Sequence, residues 1–251
     1  MGVKINLLKK VKLKNPILIA GFPGMGLVGT ISASYIVEKL NMEFIGFVSS
    51  ERFPPLAAVH SGKPMYPARL YASKKYNMLI LVSEFVVPIR AVYALSDVIY
   101  DFARKQKVSQ IISLGAIVKK SESNKIFAIA STAYLQKTLE NEPKMQLVKE
   151  GVTTGVTGVL LAKGAIDDFP VISFLSQASA EYMDPIASVS ILDAIKVYLS
   201  LDDLDTSDLK RDARNVESKM KDLMQKTKQT QSPYKRTSQD SPNDEFGAMY
   251  G

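Results

Sequence analysis

The sequence predicts an α/β domain with a largely parallel central sheet over residues 1–201. Short apolar runs of strand length alternate with amphipathic segments of helix length, and turn residues separate the two kinds of segment. Several of the runs are hydrophobic on both faces, which is typical of parallel strands covered by helices on each side. The chain has 251 residues, 46% of them hydrophobic, which is enough for one large domain or two small ones.

The elements follow from the spacing of apolar residues along the chain. A short first strand is predicted within residues 1–15, where lysines alternate with apolar residues, and a loop or hairpin is predicted in the proline-rich residues 52–67. Asp184 and Pro185 fit the N-cap and first position of the last helix of the domain. The remaining predicted strands cover residues 16–20, 42–48, 68–72, 78–83, 110–115, 125–130 and 171–175. The predicted helices cover residues 30–40, 92–105, 132–140, 155–163 and 185–201.

After residue 201 the chain changes character. Residues 202–228 are highly charged and favour a helix, and their apolar residues recur at alternating spacings of four and three, the heptad seam of a coiled coil. A helix with so short a seam is only marginally stable by itself, so it must pack on the domain or on another subunit. Packing on another subunit is the preferred alternative. The seam residues are Leu209, Ala213, Val216, Met220 and Leu223. Residues 229–251 are poor in apolar residues and are predicted to be disordered.

Composition excludes several kinds of site. The chain has no cysteine and a single histidine, His60, which rules out disulfides, cysteine-ligated metals and multi-histidine sites and fits a cytoplasmic protein. No catalytic residue, metal or cofactor is predicted. The net charge is +7, but the lysines are scattered and no basic run is interleaved with aromatic residues, so no nucleic-acid partner is expected. A basic face that meets an acidic protein partner is an open alternative. No apolar run reaches the length of a membrane span, so no membrane partner is expected either.

A glycine-rich turn, Gly21 to Gly29, joins the second predicted strand to the first helix. It contains the spacing Gly-x-Gly-x-x-Gly of the dinucleotide-binding fingerprint, and Glu51 near the end of the next strand is a candidate to hold a ribose. Pro23 speaks against this interpretation because it removes a backbone N–H from the turn that would cradle a phosphate. The preferred alternative is that the glycines form a tight turn and let the helix pack closely on the sheet.

Three other groups of residues have both a functional and a structural interpretation. His60 could serve a Ser–His hydrolase together with Glu84, but the chain has no G-x-S-x-G nucleophile elbow. Glu51, Glu84 and Arg69 lie near predicted strand ends. They form either an active-site cluster or, preferably, an ion pair or groups that satisfy the backbone. A second glycine-rich turn at residues 151–158 is either an anion site or, preferably, a structural turn before a helix.

The run Gly21-Phe22-Pro23-Gly24-Met25-Gly26-Leu27-Val28-Gly29, followed by a helix and by Glu43-Phe44-Ile45-Gly46, resembles the proteasome-assembly-chaperone family in its archaeal form. The resemblance covers most of residues 15–225 and extends through the segment from Glu181 to Pro185. It also includes Glu51, Pro54, Pro55, Glu84 and Pro88. The resemblance implies a three-layer α/β sandwich like that of purine nucleoside phosphorylases, without their catalytic function.

The resemblance also implies a role for the end of the chain. A C-terminal hydrophobic–Tyr–any-residue triplet is the docking motif of proteasome activators and assembly factors, and Met249, Tyr250 and Gly251 match it. The expected partners are the α-subunits of the proteasome core and further copies of this chain in a homo-oligomer, of which a tetramer is one form. The expected function is a non-enzymatic assembly chaperone or ATP-independent activator of the proteasome. The alternative is a nucleotide- or nucleoside-binding enzyme that uses the turn from Gly21 to Gly29.

Overall fold

A computed structural model of the chain describes residues 2–118, 125–180 and 182–213. Within these ranges, strands and helices alternate along the chain, and the predicted α/β class is confirmed. The strands are β1 (Lys4–Leu7), β2 (Ile17–Gly21), β3 (Glu43–Ser49), β4 (Ala58–His60), β5 (Lys63–Met65), β6 (Ala68–Ser73), β7 (Met78–Ser83), β8 (Gln110–Val118), β9 (Ile126–Ala130), β10 (Met145–Leu147) and β11 (Val171–Ala178). The α-helices are α1 (Val28–Lys39), α2 (Ile89–Lys105), α3 (Ala133–Glu140), α4 (Gly155–Ile166) and α5 (Pro185–Tyr198).

Nine of these strands form one sheet in the order β1-β3-β6-β7-β2-β8-β11-β9-β10. The four central strands, β7, β2, β8 and β11, are all parallel. Three antiparallel pairs extend the sheet on the side of β1, and β9 pairs antiparallel with β11 on the other side. The centre of the sheet is therefore parallel, as predicted, and its flanks are mixed.

Helices cover both faces of the sheet, so the domain has three layers. On one face α1 packs against α5, over a core that contains Ile19, Ile80 and Phe174. On the opposite face α2 packs against α4, over a core that contains Leu18 and Leu79. Leu18 and Ile19 belong to different cores because successive side chains of a strand point to opposite faces.

The two ends of the central strands differ in what surrounds them. We call the end at which β2, β7, β8 and β11 finish the carboxyl end of the sheet, and the other the amino end. The starts of α1, α2 and α5 lie at the carboxyl end because these helices follow β2, β7 and β11 after short connections. The β4–β5 hairpin lies there too, since it joins the end of β3 to the start of β6.

Several elements differ from the prediction in their presence or bounds. Three of them, β8, β11 and α4, each run three residues beyond their predicted ends. Strand β10 was not predicted, because its three residues are too few to show a period. Helix α2 begins at Ile89 rather than at residue 92. The early start was missed because Ile89 and Tyr93 are exposed and lie off the buried stripe that carried the helical pattern.

The C-terminal part of the chain is described only in part. Residues 207–213 are helical, and the compact unit that contains the sheet ends at Lys210. Most of the predicted heptad seam and the whole predicted tail lie outside the described residues, so the boundaries at residues 201 and 228 stay predictions. Among the helices that the structure describes, none has the length and apolar character needed to cross a bilayer.

Candidate partner-binding site at the carboxyl end of the sheet

The glycine-rich turn brings α1 into backbone contact with the sheet. A Cβ atom added at Gly21 would lie 2.3 Å from the carbonyl oxygen of Gly29 and 2.4 Å from the Cβ of Ala33. One added at Gly29 would lie 2.4 Å from the carbonyl oxygen of Leu114 on the neighbouring strand β8. These separations are far below van der Waals contact, so neither position has room for a side chain.

Gly26 connects the same turn to the start of α5. Its φ of +60° lies in the left-handed region that favours glycine. Its carbonyl oxygen accepts a hydrogen bond from the backbone N–H of Asp184 at 2.9 Å. The Asp184 carboxylate in turn accepts from the backbone N–H groups of Ala187 at 2.9 Å and Ser179 at 3.0 Å. The predicted N-cap role of Asp184 is therefore confirmed, and the turn holds the starts of two helices together.

The topology separates the glycine-rich turn from the acidic residue that a ribose would need. Strand β3 follows α1 in the chain, but β6 and β7 lie between it and β2. Three strand spacings amount to about 14 Å. Glu51 lies in the turn after β3, whereas a dinucleotide-binding fold places this residue on the strand next to the glycine turn. Packing therefore explains Gly21, Gly26 and Gly29, in line with the preferred interpretation.

A partly buried ion pair links β6 to the residue that follows β7. Arg69 is 3% exposed and donates from its two terminal nitrogens to the two carboxylate oxygens of Glu84 at 2.6 and 3.1 Å. Its Nε donates to the hydroxyl of Tyr71 at 2.8 Å. The Nε2 of His60, on the hairpin, lies 2.9 Å from the same Glu84 carboxylate. The preferred interpretation of Glu51, Glu84 and Arg69 was an ion pair or backbone-satisfying groups, and the structure shows an ion pair between Arg69 and Glu84. The contact with His60 attaches the hairpin to this pair.

Among residues 2–118, 125–180 and 182–213, the structure does not join these side chains to the other parts of a hydrolase site. The described hydrogen bonds of His60 go to Glu84 and not to a serine or threonine hydroxyl, so a nucleophile is missing from the arrangement. Within the residues that the structure describes, there is also no group of three or more histidine, aspartate or glutamate side chains placed to hold a metal ion. The contact of His60 with Glu84 attaches the β4–β5 hairpin to the end of β7.

The pKa of Glu84 shows the balance of forces at the pair. Burial raises it, but the hydrogen bonds and charges of Arg69 and His60 outweigh that effect and lower the pKa below the ordinary glutamate value of 4.5. A carboxyl whose pKa is lowered by folding stabilises the folded state above its unfolded pKa. That stabilisation is lost as the pH falls through the folded pKa.

We expect Glu84→Gln to lower the free energy of unfolding at neutral pH by about 3 kcal/mol, because Arg69 then stays buried without a counter-ion. The difference from wild type should shrink as the pH falls from 4.5 through the lower pKa that Glu84 has in the folded state, because wild-type Glu84 then also becomes protonated. Urea unfolding of both proteins, at neutral pH and at a pH below the folded pKa of Glu84, measures this difference in the free energy of unfolding. Glu43→Gln is the matched control because it removes the partner of Lys9 in an exposed pair, and it should have no measurable effect. Equal losses for both variants would contradict a special role for the buried pair.

The carboxyl end of the sheet also carries a group of exposed apolar side chains. Ile89 and Tyr93, one turn apart on α2, are 91% and 72% exposed, and Val86 in the preceding loop is 71% exposed. Val59 and Tyr66 on and after the hairpin are also exposed. We call these five residues the carboxyl-end surface. Exposed apolar side chains grouped at one end of a sheet are a candidate site of interaction with another molecule.

Two contacts join the parts of the carboxyl-end surface. A terminal nitrogen of Arg52 donates to the carbonyl oxygen of Arg90 at 3.3 Å, which connects the loop before the hairpin to the first turn of α2. The rings of Phe53 and Phe85 have centroids 4.8 Å apart. The hairpin and the start of α2 are therefore held side by side. This surface was not predicted from the sequence, although two apolar residues four apart outside the buried stripe were a signal for it.

The predicted partner-binding residues, Met249, Tyr250 and Gly251, lie outside the described residues. Their assignment therefore stays a prediction.

The chain was compared with known proteins. The sequence model of the PAC2 family matches residues 18–224. An uncharacterized protein of Methanocaldococcus jannaschii is 29% identical over 214 residues, which is 85% of this chain and 87% of that protein.

Two solved structures from Pyrococcus furiosus share the fold. PbaA, described as an archaeal homolog of proteasome-assembly chaperone, superposes with a TM-score of 0.80 at 24% identity, over 93% of this chain and 97% of its own. PbaB, described as an archaeal proteasome activator, superposes with a TM-score of 0.78 at 18% identity, over 89% of this chain and 99% of its own.

Proposed function

The chain belongs to the PAC2 family, and from this membership we propose that it acts on the proteasome as a non-enzymatic assembly chaperone or ATP-independent activator. The observation that carries the proposal is the family match over residues 18–224. The fold shared with an archaeal homolog of proteasome-assembly chaperone and with an archaeal proteasome activator supports it. The family resemblance of the glycine-rich run is thereby confirmed. The proposed role implies a cytoplasmic protein.

The proposed contact with the proteasome is the C-terminal triplet, in a pocket between neighbouring α-subunits of the core. Met249 supplies a flexible apolar side chain, and Tyr250 supplies an aromatic ring with a hydroxyl group for a hydrogen bond. The carboxylate of Gly251 pairs with a basic residue of the pocket. The predicted linker before the triplet, about 20 residues long, has a root-mean-square reach of roughly 25 Å, which is enough to bridge a short gap.

A single triplet binds weakly, so the proposal includes a homo-oligomer that presents several tails at once. Simultaneous docking of linked tails raises the overall affinity by about 10²–10⁴ where the geometry allows it. We assign the contact between copies of this chain to the carboxyl-end surface. Burial of an isoleucine side chain such as the exposed Ile89 contributes about 2 kcal/mol to association.

We expect Ile89→Glu to weaken the association of subunits by about tenfold or more, because an unpaired carboxylate would be buried in the interface. Folding of the single chain should not change, since Ile89 is 91% exposed there. Light scattering after size-exclusion chromatography over a dilution series measures the effect. Ile166→Glu is the matched control, at a position 84% exposed at the end of α4, which leads into the amino end of the sheet. An oligomer that survives Ile89→Glu unchanged would contradict this interface.

The proposed function is tested with a purified archaeal proteasome core and its separate α-subunits. An activator raises hydrolysis of a peptide substrate by the assembled core without ATP. An assembly chaperone speeds formation of α-rings from subunits and leaves hydrolysis by the assembled core unchanged. Failure to bind either form of the α-subunits would contradict the proposal.

A further inference from the structure

The segment that leads from β1 to β2 forms a second distinctive surface, at the amino end of the sheet. The side chains of Lys10, Lys12 and Lys14 are exposed, whereas Val11 and Leu13 between them are half-buried against the core under α2. This alternation is that of an extended chain with one face on the domain and the other in solvent. The solvent face is therefore a row of three lysines.

A cavity of about 240 Å³ opens beside this lysine segment. Ile45, Leu79 and Phe102 supply apolar lining from β3, β7 and α2, and Lys9 and Lys10 line it as well. Pockets that hold whole organic ligands usually measure about 300–1,000 Å³, so this cavity suits one large apolar side chain better than a complete small molecule.

The positive charge here is not neutralised within the described part of the domain. Lys9 pairs with Glu43 at 2.6 Å, but Lys10, Lys12 and Lys14 have no carboxylate partner among the described residues. Two further exposed lysines, Lys105 and Lys107, flank the cavity residue Gln106 at the end of α2. A surface of this kind attracts a negatively charged partner.

The backbone of the lysine segment is also open to a partner. Its two ends are fixed: the N–H of Leu8 donates to the carbonyl oxygen of Ile45 at 2.8 Å, and the N–H of Lys14 donates to Oδ1 of Asn77 at 3.2 Å. Between them, the peptide groups of residues 10–13 form no hydrogen bond with any described residue. An extended segment with unpaired backbone groups can take up a further strand.

We propose that the lysine segment and its cavity form a docking site for an acidic peptide that carries one large apolar side chain. The peptide lies along residues 10–13 as an added strand and pairs with their free backbone groups. Its carboxylates face the three lysines, and its apolar side chain enters the cavity beside Leu13 and Phe102. The site uses neither the C-terminal triplet nor the carboxyl-end surface, so it stands apart from the proposed function.

The chemistry of the site favours an acidic peptide over a nucleic acid. Lysines at alternate positions of an extended chain lie about 7 Å apart, which is the spacing of same-side residues on a partner strand. Binding of single-stranded nucleic acid relies on exposed aromatic rings on which bases stack, whereas Phe102 is half-buried in the cavity lining.

The test is fluorescence anisotropy with a labelled decapeptide in which glutamates alternate with serines around one central phenylalanine, titrated with the full chain. We expect saturable binding that weakens about tenfold in the double variant Lys10→Glu/Lys12→Glu. A probe with serine in place of phenylalanine should also bind about tenfold more weakly. The double variant Lys137→Glu/Lys144→Glu, with the same change in charge at exposed positions on α3 and before β10, should bind the probe like wild type.

Three outcomes would overturn the proposal. If both double variants bind the probe equally weakly, binding depends only on the net charge of the protein. If the probe with serine binds as tightly as the probe with phenylalanine, the cavity is not part of the site. A DNA oligonucleotide that binds more tightly than the peptide would identify a nucleic-acid surface instead. Thermal unfolding checks that both double variants are folded, and Lys10→Ala/Lys12→Ala, with the same expected direction, replaces the glutamate variant if that one unfolds.

Discussion

Replacement of Gly29 by alanine is expected to lower the free energy of unfolding by about 3 kcal/mol, because the new Cβ atom would meet two backbone carbonyl oxygens. It would lie 2.4 Å from that of Leu114 and 2.7 Å from that of Phe22. Neither oxygen can turn aside as the end of a side chain can, so α1 would have to move away from the sheet. For a domain of this size, the loss corresponds to a fall in Tm of roughly 6–12 °C.

Gly24→Ala is the matched control within the same turn. A Cβ atom there has no atom within 4 Å, and the φ of −155° suits any residue, so stability should stay unchanged. If the turn bound a dinucleotide, Gly24→Ala would weaken that binding, because Gly24 is the first glycine of the fingerprint. A Gly24→Ala variant that keeps its stability but loses a thermal shift caused by NAD would contradict the packing explanation of this turn.

Local features of the sequence predicted most of the elements correctly. The five helices and the central strands were found because their apolar residues repeat at the helical period or fill short runs. The cap at Asp184 was found because a side-chain acceptor followed by proline is a local signal. Close packing of α1 on the sheet at Gly21 was predicted because glycine has no side chain. The atoms of α1 that Gly21 faces became known only from the structure.

Features that depend on long-range contacts could not be derived from the sequence. The pattern does not show that β3 lies three strands from β2, because the order of strands depends on how the crossovers are laid out. The contact of His60 with Glu84 joins residues 24 positions apart, so the sequence could suggest the pairing only as part of a hydrolase site and could not show that the two side chains meet. The cavity beside the lysine segment is likewise built from four separate stretches of chain.

A chain that ends at residue 248 is expected to bind the proteasome core with an affinity lower by about 100-fold or more. The triplet contributes its apolar, aromatic and carboxylate contacts together, and the loss is multiplied over the tails of an oligomer. The truncation leaves residues 1–210, the first compact unit, untouched, so thermal unfolding of the domain should not change.

Single substitutions divide this effect among the groups of the triplet. Tyr250→Ala should weaken binding nearly as much as the truncation, since it removes the aromatic contact. Tyr250→Phe keeps the ring and removes one hydrogen bond, worth about 1 kcal/mol, so roughly a fivefold loss per tail is expected. Ser241→Ala, in the predicted linker, should bind like wild type.

The most direct test of tail docking is the equilibrium binding of the full chain and of the chain ending at residue 248 to an immobilised archaeal proteasome core. Both proteins are compared at the same oligomeric state, which light scattering verifies beforehand. Saturable binding of the full chain, with none by the truncated chain at the same concentrations, is the predicted result. Equal binding by the two chains would show that the proteasome contact lies elsewhere and would contradict docking through Met249, Tyr250 and Gly251.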